Sequence, residues 1–316
     1  MNALFTVMFV LCWSSGFIGA KLGAGNADPL TVLTWRFLPL AVALAVGAVL
    51  FHRARWREVG FRALRRGVVV GALSQTGYLL TVYQAIGLGV STGTTALIDG
   101  TQPLVVAVLA GPLLGQNVAA RQWWGLLLGL TGIVIVTAGD ATAASGVPWW
   151  AYLVPFAGML SLVAATFVES RSPDDTDPAV ALTVHCATSA VLFTALAACA
   201  GKLSPPATAP FWWSVAWLIV LSTVGGYGLY WLVLRRSGIT RVNALMFLMA
   251  PVTAIWGAVM FGEPFGVLTA LGLVLGLGAV VLVFRGQPRG RGARTVRTDE
   301  QSPEPEVVRG SARLRR

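Results

Sequence analysis

Residues 30–51 read LTVLTWRFLPLAVALAVGAVLF, an apolar run in which Arg36 is the only charged residue. A helix needs about 20 consecutive apolar residues to cross the hydrocarbon core of a bilayer, so this run is long enough. It is bounded by Asp28-Pro29 on one side and by the arginine-rich residues 53–66 on the other. The stretch therefore predicts a transmembrane helix.

Nine further apolar runs of similar length accompany it. They are expected to span near 3–23, 67–87, 92–114, 122–139, 149–169, 178–200, 211–234, 241–262 and 266–284. Hydrophobic residues make up 56% of the 316-residue chain, charged residues make up 11%, and the mean hydropathy is +0.73. A soluble domain carries roughly 25% charged residues, so this chain has too little charge to coat a soluble surface. The sequence predicts an all-α integral membrane protein of ten transmembrane helices.

The two ends of the chain lead to separate expectations. The first run should be a retained span rather than a cleaved signal, because residues 1–5 carry no Lys or Arg and no A-x-A site follows. Residues 285–316 are rich in Arg, Glu, Pro and Gly and have almost no large apolar side chain. Such a composition cannot bury enough apolar surface to fold, so this segment is expected to be a disordered, basic cytoplasmic tail.

The positions of the 23 lysines and arginines predict the orientation. All but Lys21, Lys202 and Arg36 lie in the tail or at span ends that share one side of the membrane. Positive residues concentrate on the cytoplasmic side, so we expect both termini in the cytoplasm and the protein in a plasma (inner) membrane. The basic residues that give the net charge of +10 are thus expected to contact the lipid bilayer. Their distribution argues against a nucleic-acid partner.

An internal repeat divides the spans into two groups of five, at an offset of 147 to 149 residues. Its matching elements, first copy and then second, are Asp28-Pro29 and Asp177-Pro178, Leu33-Thr34-Trp35-Arg36 and Leu182-Thr183-Val184-His185, Tyr78 and Tyr227, Pro103 and Pro251, and the runs 125–129 and 272–276. Because five is odd, the second copy must cross the membrane in the opposite sense. The sequence predicts two inverted five-helix repeats, at 1–140 and 141–284, before the tail at 285–316. Inverted repeats are a recurrent design of secondary transporters.

Short motifs add a family resemblance. They are WSSGF at 13–17, YQA at 83–85, ALIDGTQPL at 96–104 and GEP at 262–264. Their order and duplication make residues 3–284 similar to the EamA branch of the drug/metabolite transporter superfamily, which also commonly places an arginine where Arg36 stands. The chain departs from the family pattern at Gln116, where the first repeat lacks the glutamate that the second keeps as Glu263. It departs again at Asp99, where a small or apolar residue is usual.

The resemblance implies an exporter of small metabolites, such as amino acids or related compounds or drugs, that works by alternating access on proton or substrate gradients. The alternatives are a channel-like facilitator and a carrier for nucleotide sugars or lipid precursors. We expect no cofactor and no metal site, because only His52 and His185 supply imidazoles and the three cysteines lack metal-ligand spacing. The absence of a catalytic constellation indicates that the chain is not an enzyme.

Ionisable residues inside spans are costly, and each is a functional candidate. Asp99 and Arg36 are expected at similar depths from the outer face. They could form a structural pair, or each could meet one end of a zwitterionic substrate, with Asp99 also a candidate for proton coupling. Arg36 could instead snorkel to the headgroups. His185 could gate protons or simply bond a neighbouring helix, and Glu263 is expected to cap or tether the loop that leads to the tenth span.

In related exporters the first, third and fourth spans and their repeat mates line the cavity, which implies a set of polar and aromatic substrate-binding candidates. These are Trp13, Ser14, Gln75, Tyr78, Thr95, Asp99, Gln102, Tyr227, Tyr230, Trp231 and Asn243. The alternative for each is an interhelical hydrogen bond or aromatic packing. Gly125/Gly129 and Gly272/Gly276 have small-xxx-small spacing, which predicts close helix contact by spans five and ten, within the chain or across a homodimer.

Overall fold

The computed structural model covers most of the apolar part of the chain. The residues that it describes are 3–51, 56, 59–115, 119–143, 146–171, 176–237, 245–246 and 248–284. The predicted tail at 285–316 lies outside them.

Ten helices, which we number α1 to α10, make up nearly all of these described residues. They are α1 (Ala3–Ala24), α2 (Pro29–Phe51), α3 (Phe61–Gly71, Ala72–Gly77 and Tyr78–Gly87), α4 (Thr92–Gly100 and Gln102–Leu114), α5 (Ala120–Ala143), α6 (Trp149–Leu153 and Val154–Ser170), α7 (Pro178–Cys199), α8 (Ala209–Trp217, Leu218–Gly225 and Gly226–Ser237), α9 (Met249–Phe261) and α10 (Val267–Phe284). Within the described chain, α1, α2 and α4 to α8 are long and apolar enough to cross a membrane, and α9 and α10 are shorter apolar helices. The predicted all-α integral membrane fold is confirmed.

The outer surface of the bundle is apolar, as lipid contact requires. Large hydrophobic side chains point outward along the helices, with Val259 80% exposed and Val267 84% exposed. The interior instead buries a set of polar residues, among them Arg36, Gln75 and Asp140. Apolar side chains therefore face outward and several polar side chains face inward, which is partly the reverse of a soluble protein and fits a hydrocarbon surrounding.

The start of α3 differs from the prediction. The apolar run predicts a span from residue 67, whereas the helix begins at Phe61. The added turn carries Arg62 and Arg65, both exposed. Long basic side chains can reach the headgroups from a helix end, so the helix continues past the apolar run without burying charge.

The fourth span is broken near its middle. One helical piece ends at Gly100, the next begins at Gln102, and Thr101 caps both. Pro103 causes the break, because proline has no N–H to donate to the carbonyl of Asp99 and its ring crowds that carbonyl. The predicted continuous span at 92–114 is thus two segments, and the break lies beside Asp99.

The two halves repeat local geometry as well as sequence. The carboxylates of Asp28 and Asp177 each accept a hydrogen bond of 2.9 Å from the backbone N–H two residues ahead, at the starts of α2 and α7. Gly115 and Gly262 end α4 and α9 in the left-handed region, with φ of 66° and 64°. A wide, π-type turn interrupts both α3 and α8, at Ala72–Gly77 and Leu218–Gly225. The inverted orientation of the halves remains a prediction.

Helices α5 and α10 pack tightly on each other through glycines. A Cβ atom at Gly132 would lie 2.7 Å from the carbonyl oxygen of Gly272, and one at Gly272 would collide with the Gly132 carbonyl oxygen and Val136. The predicted close contact of spans five and ten therefore occurs within the chain. The glycine of α5 that meets Gly272 is Gly132, whereas Gly129 packs toward Leu104. A homodimer through the outer faces of these helices stays a prediction.

The Gly272→Ala variant is expected to be destabilised by about 1–3 kcal/mol, because the new methyl group meets the backbone of α5 rather than a flexible side chain. The matched control is Gly278→Ala on the same helix, where the nearest atom, Cδ2 of Leu128, would be 3.7 Å away. The control should keep or slightly raise stability, since alanine favours the helix. Thermal unfolding midpoints of the purified variants check this, and equal midpoints would contradict it.

Candidate functional site

A cavity of about 450 Å³, which we name the central cavity, lies inside the helix bundle. Its polar and aromatic lining comes from six helices and the connection between α6 and α7. The residues are Trp13, Ser74, Tyr78, Asp99, Gln102, Thr166, Glu169, Thr176, His185, Tyr227 and Tyr230. Met246 and Met249 add flexible apolar surface. A pocket of this size with few polar groups has the character of a small-molecule site.

The central cavity reaches one end of the bundle. Glu169, Thr176 and Pro178, at the connection between α6 and α7, line it there. A smaller cavity of about 90 Å³ joins Glu169 to Arg66 in the first turns of α3. The mouth therefore lies at the arginine-rich end, which we call the open end.

Asp99 lies beside the break in α4 and faces the central cavity. Its Oδ2 accepts a hydrogen bond of 2.9 Å from the hydroxyl of Tyr78. Its Oδ1 is buried and has no hydrogen-bond partner among the residues that the structure describes. Buried polar atoms are nearly always bonded, so an acceptor left free inside a cavity indicates a place for a donor from a ligand or water.

Aromatic rings form one wall of the central cavity. The ring centroid of Trp13 is 5.6 Å from that of Tyr227 and 5.9 Å from that of Tyr230. Phe9 closes the back of this cluster, 5.8 Å from Trp13. The three cavity-lining rings come from α1 and α8, and the wall is rigid because each ring packs against another.

A second, smaller cavity of about 80 Å³, the side cavity, adjoins the first and shares Trp13, Ser74, Tyr78 and Tyr227 with it. Gln75 lines the side cavity. Its amide nitrogen lies 3.5 Å from the hydroxyl of Tyr227, and its amide oxygen accepts from Ser189 at 3.2 Å. The wide turn in α3 carries Gln75, and the corresponding turn in α8 carries Ser222 and Thr223. Such turns occur often at functional sites.

Arg36 lines the side cavity and is buried. Its Nη1 donates to the hydroxyl of Tyr83 at 2.6 Å, and its Nη2 donates to Ser222 and Thr223 at 3.3 and 3.1 Å. The ion pair with Asp99, one of our alternatives, does not form within the described part of the chain, because α3 and α8 surround the guanidinium with hydroxyl groups. The snorkelling alternative is also wrong, since the side chain points into the bundle.

The opposite end of the bundle, which we call the closed end, is held by two carboxylates at the N-terminus of α4. Oε2 of Glu263 accepts from the backbone N–H and the hydroxyl of Thr92, at 2.9 and 2.6 Å. Oε1 of Glu263 lies 3.3 Å from Nζ of Lys21 on α1. A helix N-terminus favours negative charge, which accounts for the position of Glu263. Glu263, in the connection before α10, thus caps the start of α4 and ties that connection to α1.

Asp140 is the second carboxylate at the closed end. Its Oδ2 accepts from the backbone N–H of Ser91 and from the hydroxyl of Thr94, each at 3.1 Å. Although it lies near the end of α5, it is only 3% exposed. The ends of α1, α5 and α9 are thereby all gathered at the start of α4. Hydropathy gave no sign of this cluster, because it depends on residues distant in sequence.

Not all of the predicted site residues line a cavity in the described structure. Ser14 and Thr95 are fully buried, and they donate to the carbonyl oxygens of Met249 and Ser91. Their small hydroxyls therefore satisfy backbone within the bundle. The side chain of Trp231 and the whole of Asn243 lie outside the described residues. The other candidates line one or both cavities, and His185 stands near the mouth of the central one.

Several lining residues were missed by sequence reasoning. Thr166 on α6 accepts a hydrogen bond of 3.1 Å from the amide of Gln102, and Ser74 lies between the two cavities. Glu169 is exposed and lines the mouth. A threonine or serine inside an apolar run is the signal that could have pointed to the first two.

A separate groove of about 770 Å³ lies on the outside of the bundle, between α2, α3 and α7. It is larger than the central cavity, but its lining is almost entirely aliphatic, with Val49, Val68 and Val191 as examples. It has no ionisable side chain among its described lining residues. The groove is a lipid-facing surface rather than the site.

A model of the EamA-like transporter family matches the chain twice, over residues 1–138 and 149–285. The chain belongs to this family. The two matches coincide with the two predicted repeats, and a solved crystal structure shares the fold, with a TM-score of 0.58 at 19% identity over 91% of this chain and 98% of that chain. The transporter therefore has the duplicated architecture of its family.

Relatives of the transporter include three curated proteins at similar distance. An uncharacterized inner membrane transporter, YedA of Escherichia coli, is 24% identical, over 90% of this chain and 91% of its own. A probable terminal-alkyne amino-acid exporter of Streptantibioticus cattleyicolor is 24% identical, over 88% and 92%. A WAT1-related chloroplastic protein of Arabidopsis thaliana is 25% identical over 86% of this chain, which spans 66% of the plant protein. These relatives support transport as the general function.

Proposed function

We propose that the protein is a secondary transporter that exports small metabolites, such as amino acids or related compounds, by alternating access. It lies in a plasma (inner) membrane with both termini in the cytoplasm. Support comes from the family, from the amino-acid exporter among the relatives and from the inner membrane transporter of Escherichia coli. Positive residues of membrane proteins concentrate on the cytoplasmic side, which supports a cytoplasmic position for the arginine-rich open end.

One observation carries the proposal: the central cavity has a mouth at the open end, and a polar network seals the other end. Glu169 and Thr176 mark the mouth, while Lys21, Thr92 and Glu263 form the seal. With this orientation, the structure is the state that accepts substrate from the cytoplasm. Export requires a second state in which the seal opens and the mouth closes. The duplicated halves supply two related bodies that can rock against each other.

The residues of the two cavities have different roles. Asp99, Tyr78, Gln102 and the aromatic wall contact the substrate in the central cavity. Arg36 and Gln75 hold α2, α3, α7 and α8 together around the side cavity. The wide turn of α3 carries Gln75, and that of α8 carries Ser222 and Thr223, so a small change in either turn would move this network.

An exchange assay tests the proposal. Liposomes containing the purified protein are loaded with one unlabelled amino acid of a panel, and uptake of the same labelled amino acid from outside is followed. A carrier is expected to show uptake stimulated several-fold by internal substrate, because the loaded site returns faster than the empty one. A channel-like facilitator would show no stimulation at any substrate, and that result would contradict alternating access.

A matched pair of variants tests whether the substrate passes through the central cavity. The Thr166→Trp change fills the central cavity, so exchange should fall to the level of protein-free liposomes. The Thr131→Trp change places the same side chain on the exposed face of α5, where exchange should stay near the wild-type rate. Equal exchange by the two variants would show that substrate does not pass through the central cavity.

A further inference from the structure

From the charges and rings of the central cavity we infer that it selects substrates carrying a positively charged amine. Asp99 receives the ammonium group, and the rings of Trp13, Tyr227 and Tyr230 surround the carbon atoms next to it. This inference rests on the proposed function and names the substrate class of the same site. A free monocarboxylate or a nucleotide sugar would be rejected.

The charges that line the central cavity are negative. Asp99 and Glu169 are its carboxylates, and no lysine or arginine belongs to its lining within the described part of the chain. Arg36 lines the side cavity, where three hydroxyl groups already accept from its guanidinium. The zwitterion arrangement, in which Arg36 and Asp99 each take one end of a substrate in one cavity, is therefore not what the structure holds. Among the described lining residues, an anion would meet two carboxylates and neither a lysine nor an arginine.

Asp99 can accept a hydrogen bond from a ligand. Tyr78 fixes Oδ2 by a hydrogen bond of 2.9 Å, so the carboxylate cannot rotate without losing that bond. Oδ1 remains a buried acceptor without a partner in the described structure. An ammonium group has hydrogen-bond donors and no acceptor, so it matches this atom in both charge and polarity. Inside a low-dielectric bundle the attraction between the two charges is far stronger than in water.

The aromatic wall favours the same kind of ligand. Trp13 packs within 5.6 to 5.9 Å of Tyr227 and Tyr230, measured between ring centroids, and all three rings line the central cavity. Ring faces attract cations, and tryptophan does so most strongly. Tyr78 and Tyr227 line both cavities, so the carboxylate and the rings share one compartment. Aromatic rings that share a cavity with the Asp99 carboxylate are a cation-binding combination.

Binding of three matched compounds tests the inference without requiring transport. They are 2-phenylethylamine, 3-phenylpropionate and 3-phenylpropanamide, which carry a positive, a negative and a neutral group on similar skeletons. The readout is the thermal unfolding midpoint of the purified full-length protein in lipid nanodiscs. The amine should raise the midpoint by about 5 °C at a hundredfold excess over its dissociation constant. The propionate and the amide should leave it within 1 °C or so of the unliganded value.

Variants test whether the carboxylate of Asp99 is responsible for amine binding. Asp99→Asn should weaken amine binding at least tenfold, because the amide removes the charge and nearly keeps the shape. The control Asp28→Asn makes the same change at the start of α2, where asparagine caps a helix equally well, and it should bind the amine like the wild type. If Asp99→Asn does not fold, the comparison of the three compounds on the wild type still decides.

The outcomes separate this inference from the proposed function. Midpoint shifts that are equal for the amine and the propionate, or absent for the amine, overturn the inference. Unchanged amine affinity in Asp99→Asn also overturns it. Exchange of an anionic substrate in liposomes would leave the carrier function intact and still overturn the amine preference. Amine binding without stimulated exchange of any amine would instead support the preference and contradict alternating access.

Discussion

The Glu263→Gln variant is expected to open the closed end about ten- to a hundredfold more often than the wild type. The change removes the ion pair with Lys21 and turns a charged acceptor for Thr92 into a neutral one. Hydrogen bonds to charged groups contribute about 1.5–3 kcal/mol each, and about 1.4 kcal/mol is a factor of ten in an equilibrium. The side chain of Glu263 is only 7% exposed, so solvent screens these contacts little.

Labelling of a buried cysteine measures this opening. Ala20 on α1 is 1% exposed and lies one residue before Lys21, and we expect a probe from the closed end to reach it only after the seal opens. An Ala20→Cys reporter, in a background without the native cysteines, would react with a membrane-impermeant maleimide added on the side of the closed end. The rate should rise in step with the open population, provided that opening is fast compared with labelling.

The control for this experiment is Glu169→Gln. It makes the same chemical change at the open end, where Glu169 is exposed at the mouth of the central cavity. Labelling of the reporter should stay at the wild-type rate, because the seal is untouched. An unchanged rate in Glu263→Gln, or an equal rise in both variants, would show that the carboxylate at position 263 does not hold the closed end.

The helices of this fold could be predicted because lipid imposes a simple rule on sequence. Every spanning segment needs a long apolar run, and the runs match the described helices to within a few residues except at the starts of α3 and α9. The prediction was wrong where side-chain chemistry changes the helix without changing its hydropathy. Arginines extend α3 backward to Phe61, and Pro103 breaks α4 beside Asp99. The wide turns of α3 and α8 also have no signature in an apolar pattern.

The sequence predicted which residues belong to the candidate site but not which of them contact each other. Polar and aromatic residues inside apolar runs pointed to Tyr78, Asp99 and Tyr227, which the structure places around the central cavity. The partner of Arg36 could not be found this way, because its acceptors lie on α3 and α8, far away in sequence. A similar depth in the membrane gave no information on which way each side chain points.

The Arg36→Lys variant is expected to lose more stability than Arg36→Gln, although lysine keeps the charge. The planar guanidinium donates to Tyr83, Ser222 and Thr223 at the same time. A lysine nitrogen is a compact point charge on a flexible chain and cannot reach all three hydroxyls. Losing two bonds to a charged donor costs about 3–6 kcal/mol, and the remaining cation would be buried with too few acceptors.

Glutamine carries no charge, so Arg36→Gln leaves only neutral hydroxyls to find new partners, at a cost of about 1–3 kcal/mol. Thermal midpoints and the yield of monodisperse protein in detergent should therefore follow the order wild type, Arg36→Gln, Arg36→Lys. Arg62→Lys is the control, because Arg62 is exposed at the start of α3 and should tolerate the change. If Arg36→Lys were as stable as the wild type, a point charge would satisfy the side cavity, and the three-hydroxyl cradle would not be the reason for an arginine there.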